Sequence, residues 1–144
     1  MARWSRKGPG VLRVNAVGIL AKTRSPAFEN EALGVLHQDG EVRDLYLTAV
    51  ISRVLGLPWK TAADLATTGA GAATPQQLAL IAAEVENPAD AGSRWCSTLL
   101  LYRTRQDDQP AVTAVLLRAL RTEPSRETLR AIGAALAGED PLTI

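Results

Sequence analysis

Hydrophobic positions recur along this chain at three- and four-residue intervals, a spacing that predicts helices over most of its length. Ser25-Pro26 opens one that runs to about His37, since Ser can cap and Pro suits the first helical position. Asp39-Gly40 then breaks it. From Glu41 to about Leu55, the residues Leu47, Val50, Ile51, Val54 and Leu55 share a face, and Gly56 and Pro58 close the segment. Lys60–Thr67 fits a short helix. Thr74-Pro75-Gln76-Gln77 is the strongest start signal, with Thr74 as cap and Gln77 completing a capping box. Leu78, Ile81, Ala82 and Val85 form the stripe behind it, and Asn87-Pro88 stops it.

Residues 91–105 place Trp95, Leu99 and Tyr102 on one face, with Cys96 and Leu100 alongside. Beyond a turn at Asp107-Asp108-Gln109-Pro110, Val112, Val115, Leu116 and Leu120 predict a buried stripe, with Arg118 and Arg121 outward. Pro124-Ser125 begins the last helix, which buries Leu129, Ile132 and Leu136 and ends at Gly138. Val11–Ala21 fits two periods. A lone strand there would have no second alternating run to pair with, so a helix is favoured. The sum is an all-α fold, a compact irregular bundle of six or seven short helices. Gly8-Pro9-Gly10 reads as a joint, which divides the chain into a basic flexible arm over 1–10 and one helical domain over 11–144.

Composition narrows the function. With 144 residues, one Cys and one His, the chain has no intramolecular disulfide and no Cys/His zinc site. No apolar run reaches membrane-spanning length. The first 24 residues have a superficial secretory shape, but Arg13 and Asn15 interrupt the apolar core and no cleavage site follows. A bacterial source and a cytoplasmic location are the defaults.

Charge is unevenly distributed. Arg3, Arg6, Lys7, Arg13, Lys22 and Arg24 precede the first acid, Glu29, so residues 1–28 carry +6. Residues 29–93 carry −6, from nine acids against Arg43, Arg53 and Lys60. Such a split points to a polyanion or an acidic partner. Arg3, Arg6, Lys7, Arg13, Lys22 and Arg24 are therefore the candidate phosphate contacts, and Trp4 offers a face on which a base can stack. The expected function is a small non-catalytic nucleic-acid-binding protein (DNA or RNA), as a helical accessory subunit of a nucleoprotein complex. The alternative is a helical protein-interaction or self-assembly module using complementary basic and acidic patches, with the basic segment docked on the chain's own acids or on another copy.

Catalytic chemistry finds little support. Cys96 and His37 are the only thiol–imidazole pair, and both read as structural: Cys96 lies in an apolar helix and His37 near a helix end. Gly69-Ala70-Gly71 begins like a dinucleotide loop but lacks the preceding strand. A helix-turn-helix over Leu57–Val85 would present a second helix without a single Lys or Arg. No catalytic residue, metal ligand or cofactor site is expected, and no membrane association.

Overall fold

The computed structural model describes residues 2–68, 74–104 and 109–143, with side chains from Gly10 onward except that of Thr68. Eight helices and no strand occur among them: α1 (Ala2–Ala21), α2 (Pro26–Gln38), α3 (Gly40–Leu55), α4 (Trp59–Thr68), α5 (Pro75–Val85), α6 (Ala91–Thr104), α7 (Gln109–Thr122) and α8 (Arg126–Leu136). A short 3-10 turn, Pro141–Thr143, follows. The all-helical expectation holds. The count exceeds six or seven because both doubtful segments, 11–21 and 60–67, are helical.

Several helix ends are set by the residues singled out above. Thr74 Oγ1 accepts from the Gln77 backbone N–H at 3.1 Å, and Gln77 Oε1 accepts from the Thr74 N–H at 3.0 Å. That is the capping box in full. Gly56 ends α3 with φ 65°, the left-handed conformation that costs glycine least. Asp39 does more than break a helix. Its carboxylate accepts from the Val42 N–H at 3.2 Å and so starts α3. Ser25 stands at the N-cap of α2 with Pro26 behind it, but its hydroxyl makes no cap bond.

α6 is the centre of the bundle. It packs against α1, α2, α3, α5 and α8. Every residue from Ala91 to Leu101 is buried, polar ones included. The sequence predicts one apolar face here; the helix is instead surrounded, so Ser93, Arg94, Ser97 and Thr98 are interior as well. Two threonines satisfy their hydroxyls locally: Thr98 donates to the Arg94 carbonyl and Thr104 to the Leu100 carbonyl. Gly92 matters because Tyr46 lies on it. A Cβ at that position would sit 2.6 Å from the Tyr46 hydroxyl oxygen.

Two further departures are informative. On α7 the buried stripe is Val112, Leu116 and Ala119, whereas Leu120 is exposed. Ala119 takes the inward place next to it. α1 begins at Ala2, and its bounds take in Gly8-Pro9-Gly10, where the sequence suggests a joint. Gly10 is buried and lies directly against the Glu41 carboxylate, an approach that a Cβ would block. Close packing on α3 explains a glycine inside this helix despite a cost of about 1 kcal/mol relative to alanine.

Gly92→Ala is expected to lower unfolding stability by about 1–3 kcal/mol, because the new methyl must displace Tyr46. A urea midpoint equal to that of the parent chain would show that the ring moves freely.

Candidate functional site

The seven sequence-selected residues do not form one surface. The side chains of Arg3, Trp4, Arg6 and Lys7 lie outside the described residues. Arg13 is already occupied. Its Nε donates to Asp39 Oδ2 at 3.1 Å and its Nη2 to Glu41 Oε2 at 3.2 Å, which ties α1 to the α2–α3 turn. Lys22 and Arg24 are exposed and have no ion pair among the described residues. Arg24 adopts φ 60°, which is rare for a residue with a Cβ.

The remaining acids and bases are largely paired inside the molecule. Arg53 reaches Glu84 at 3.2 Å and the Ser93 hydroxyl at 2.8 Å. Arg118 holds Glu86 at 3.0 Å. Arg43 donates to the carbonyls of Leu36 and His37, closing the C-terminal end of α2. Arg94 is the buried case. Its Nε donates to Glu123 Oε1 at 2.9 Å, its Nη1 donates to the Asn87 carbonyl at 2.8 Å, and its Nη2 stands 3.8 Å from Glu29 Oε2. Ser125 joins the two carboxylates, since its N–H donates to Glu123 and its hydroxyl to Glu29. A cavity of about 430 Å³ opens above this cluster, between Pro26, Pro88 and Pro124. Of the charged groups on its wall, only Arg24 has no partner among the described residues, and Arg94 Nη2 is buried there without a hydrogen bond.

A second buried network lies at the N-terminal end of α6. The Tyr46 hydroxyl donates to Asp90 Oδ1 at 2.6 Å, while the Ser93 N–H and hydroxyl donate to the two oxygens of the same carboxylate. Burial pushes the Tyr46 phenol far above its ordinary pKa, and the Asp90 carboxylate adds to the rise. Cys96 is fully buried, and burial followed by the Asp90 charge raises its thiol well above the usual value. His37 packs edge-on to Trp95 with centroids 6.4 Å apart, and its Nε2 has no hydrogen-bond partner. No hydrogen bond joins His37 to Cys96, and a thiol held protonated is a poor nucleophile.

The open feature is a groove of about 600 Å³ between α1 and α3. Val11, Val14, Gly18 and Ile19 line it from α1, with Leu45, Tyr46 and Ala49 from α3 and Trp59 at the start of α4. Ile19 is 69% exposed and Trp59 61%, so both present apolar surface that the fold leaves uncovered. Sequence periodicity missed this groove because it credits an apolar residue on a helix to the core. The one hint was an excess: α1 has more apolar positions than a single buried face can use.

Gly69–Ala73 and Asp107-Asp108 lie outside the described residues. The helices flanking the first of these, α4 and α5, pack chiefly on α3 and α6 respectively. Among the described residues no group of three or more His, Cys, Asp or Glu is placed to hold a metal ion, and no helix is long and apolar enough to cross a membrane. No family model, curated protein or solved structure matches the chain.

Two predictions follow from the buried groups. Arg94→Met leaves Glu29 and Glu123 buried without their cation and is expected to cost about 3–5 kcal/mol. Arg13→Ala breaks an exposed pair and should cost at most about 1 kcal/mol. Denaturant titration of both variants checks the ranking. The alkaline limb tests Tyr46 and Cys96. Both groups keep their protons in the folded chain, whereas the unfolded chain sheds them above about pH 8.5 for Cys and about pH 10 for Tyr. Stability is then insensitive to these groups below about pH 8.5 and falls as pH rises beyond it. Tyr46→Phe should flatten the decline above about pH 10; an unchanged slope would contradict the assignment.

Proposed function

We propose that this chain is a non-catalytic helical module that docks a partner protein across the α1–α3 groove. The observation that carries the proposal is the groove itself: a concave apolar trough with a largely exposed Trp59 at its edge. Contiguous exposed apolar surface marks interaction sites on soluble proteins, and tryptophan is enriched among residues that dominate binding energy. Arg13 supports it indirectly. That cation serves an internal contact with Asp39 and Glu41, so the basic–acidic complementarity of the sequence is used at least partly within one molecule.

Nucleic-acid binding is a second reading, favoured by Lys22 and Arg24, exposed cations just after α1 with no ion pair among the described residues. Arg3, Arg6 and Lys7 would extend that surface, with Trp4 as a stacking face and residues 1–10 acting as an arm.

Selection of peptides from a random display library on the full chain, with counter-selection on Ile19→Glu, tests the proposal. Ile19 is largely exposed, so this variant keeps the fold, which circular dichroism verifies. Ligands that bind the parent chain and lose Ile19→Glu are the expected outcome. The alternative is read by fluorescence anisotropy of labelled single-stranded and duplex oligonucleotides. Oligonucleotide binding that survives Ile19→Glu and falls on deletion of residues 1–7, with no groove-dependent peptide recovered, would replace the protein reading.

A further inference from the structure

Resting on the protein-docking reading, we infer that the partner at the α1–α3 groove is a second copy of this chain, related by a two-fold axis that crosses α1 between Asn15 and Ala16. The two α1 helices then run antiparallel, and each lays an apolar ridge into the groove of the other.

Shape is the first argument. Of the nine large apolar side chains left exposed among the described residues, Val11, Leu12, Ile19, Leu45 and Trp59 lie on or beside this groove. Leu12, 69% exposed, stands two turns before Ile19 on the same side of α1, and the exposed Ala16 falls between them. These three form a ridge next to the trough. An isologous contact needs just such a surface, because each copy offers the same patch that it receives. With the axis between Asn15 and Ala16, position 12 of one copy faces position 19 of the other, and both are apolar. Apart from Arg13, which is turned to Asp39 and Glu41, Asn15 is the one polar residue from Val11 to Ala21. It lies beside the axis, and an amide that both donates and accepts can bond its own counterpart there.

Charge is the second. α1 and α3 run in the same direction along the groove, for Gly10 lies against Glu41 and Gly18 faces the Tyr46 ring. One end therefore holds Asp39 and Glu41, two carboxylates that share the single cation Arg13. Asp44, exposed on the same stretch of α3, adds to that end. Lys22 stands at the other end with no ion pair among the described residues. Lys60 is there too, offset by Asp64 one turn further along α4. The described charge is thus divided rather than of one sign, with a carboxylate surplus at one end and Lys22 at the other. A two-fold axis brings unlike ends together. Position 22 of each copy then lies opposite position 9 of the other, one residue from Gly10 and beside the exposed Glu41.

Other occupants match less of this surface. A foreign helix could fill the trough, but it would leave Lys22 and the carboxylate end unmatched unless it carried the reverse charge pattern. A second copy carries that pattern by symmetry. An anionic lipid surface would attract Lys22 and repel the carboxylate end of the same groove.

Sedimentation velocity of the full chain over a range of concentrations is the test. A reversible dimer is expected, with a dissociation constant in the micromolar range or tighter. Ile19→Glu, with its fold checked by circular dichroism, sets a carboxylate against Leu12 at two symmetric positions and should weaken the dimer by about a hundredfold or more. Two variants read the charge pairing. Lys22→Glu opposes Glu41 with a carboxylate and Glu41→Lys opposes Lys22 with a cation, so each alone should dimerise about tenfold more weakly. An equimolar mixture of the two should recover the parental affinity as a one-to-one pair, which also shows that both fold. A chain that stays monomeric, a dimer indifferent to Ile19→Glu, or charge variants that do not pair when mixed overturns the inference. So does a dimer lost on deletion of residues 1–7 but untouched by the charge variants. Cosedimentation of a monomeric chain with phosphatidylglycerol vesicles that Ile19→Glu removes overturns it in favour of a membrane. A monomeric chain with groove-dependent display ligands would sink this inference and leave the docking reading intact; a monomeric chain without any such ligand would sink both.

Discussion

Burial of the Arg94 guanidinium on the central helix is the constraint around which this bundle is organised. α6 is covered on every side, and a charged group there is tolerated only where opposite charge and hydrogen bonds replace its water. Glu123 supplies one carboxylate from the segment before α8, and Glu29 supplies the other from the first turn of α2. Asn87 adds a carbonyl from the α5–α6 turn. One side chain thus fixes where three separate parts of the chain meet. Ser125 makes the arrangement mutual, since it bonds both carboxylates while standing at the N-cap of α8. Apolar packing supplies most of the driving force but is non-directional. The arginine cluster supplies geometry.

Local signals made the helices legible. The Thr74–Gln77 capping box and the left-handed Gly56 are short-range features whose physics depends on a few neighbouring residues. Tertiary context was not legible by the same means. Trp95, Leu99 and Tyr102 suggest a half-buried helix, yet Ser93, Arg94 and Thr98 are interior because their partners come from distant positions. Leu120 fails for the opposite reason: its spacing fits the stripe, but the small Ala119 takes the inward place. Period alone says that a face is apolar, not which element will cover it.

Charge counting had a similar limit. The +6 start and −6 middle of the chain are real features of the sequence, but formal charge carries no information about pairing. Arg13 counts toward the first and Asp39 and Glu41 toward the second, and on the surface the one cation is shared between the two carboxylates. Glu29 belongs to the acidic segment and is sequestered by Arg94. Lys22, Arg24, Lys60, Arg121 and Arg126 are exposed and make no ion pair among the described residues, and a surface field is set by such leftovers rather than by the totals.

The groove and the core meet at Tyr46. Its ring lines the groove, while its hydroxyl is anchored on Asp90 and its hydroxyl end lies against Gly92. Asp90 is held in turn by Ser93, which bonds Arg53 and thereby Glu84. That part of the floor is therefore tied into the core by hydrogen bonds, whereas Ile19 and Trp59 on the rim are exposed side chains. A ligand that enters such a site orders a few rim rotamers rather than a wall, and that lowers the entropy cost of binding. Gly92 acquires a second role through this chain of contacts. A Cβ there would meet the hydroxyl end of Tyr46, so the smallest residue of the central helix bears directly on a ring that lines the groove.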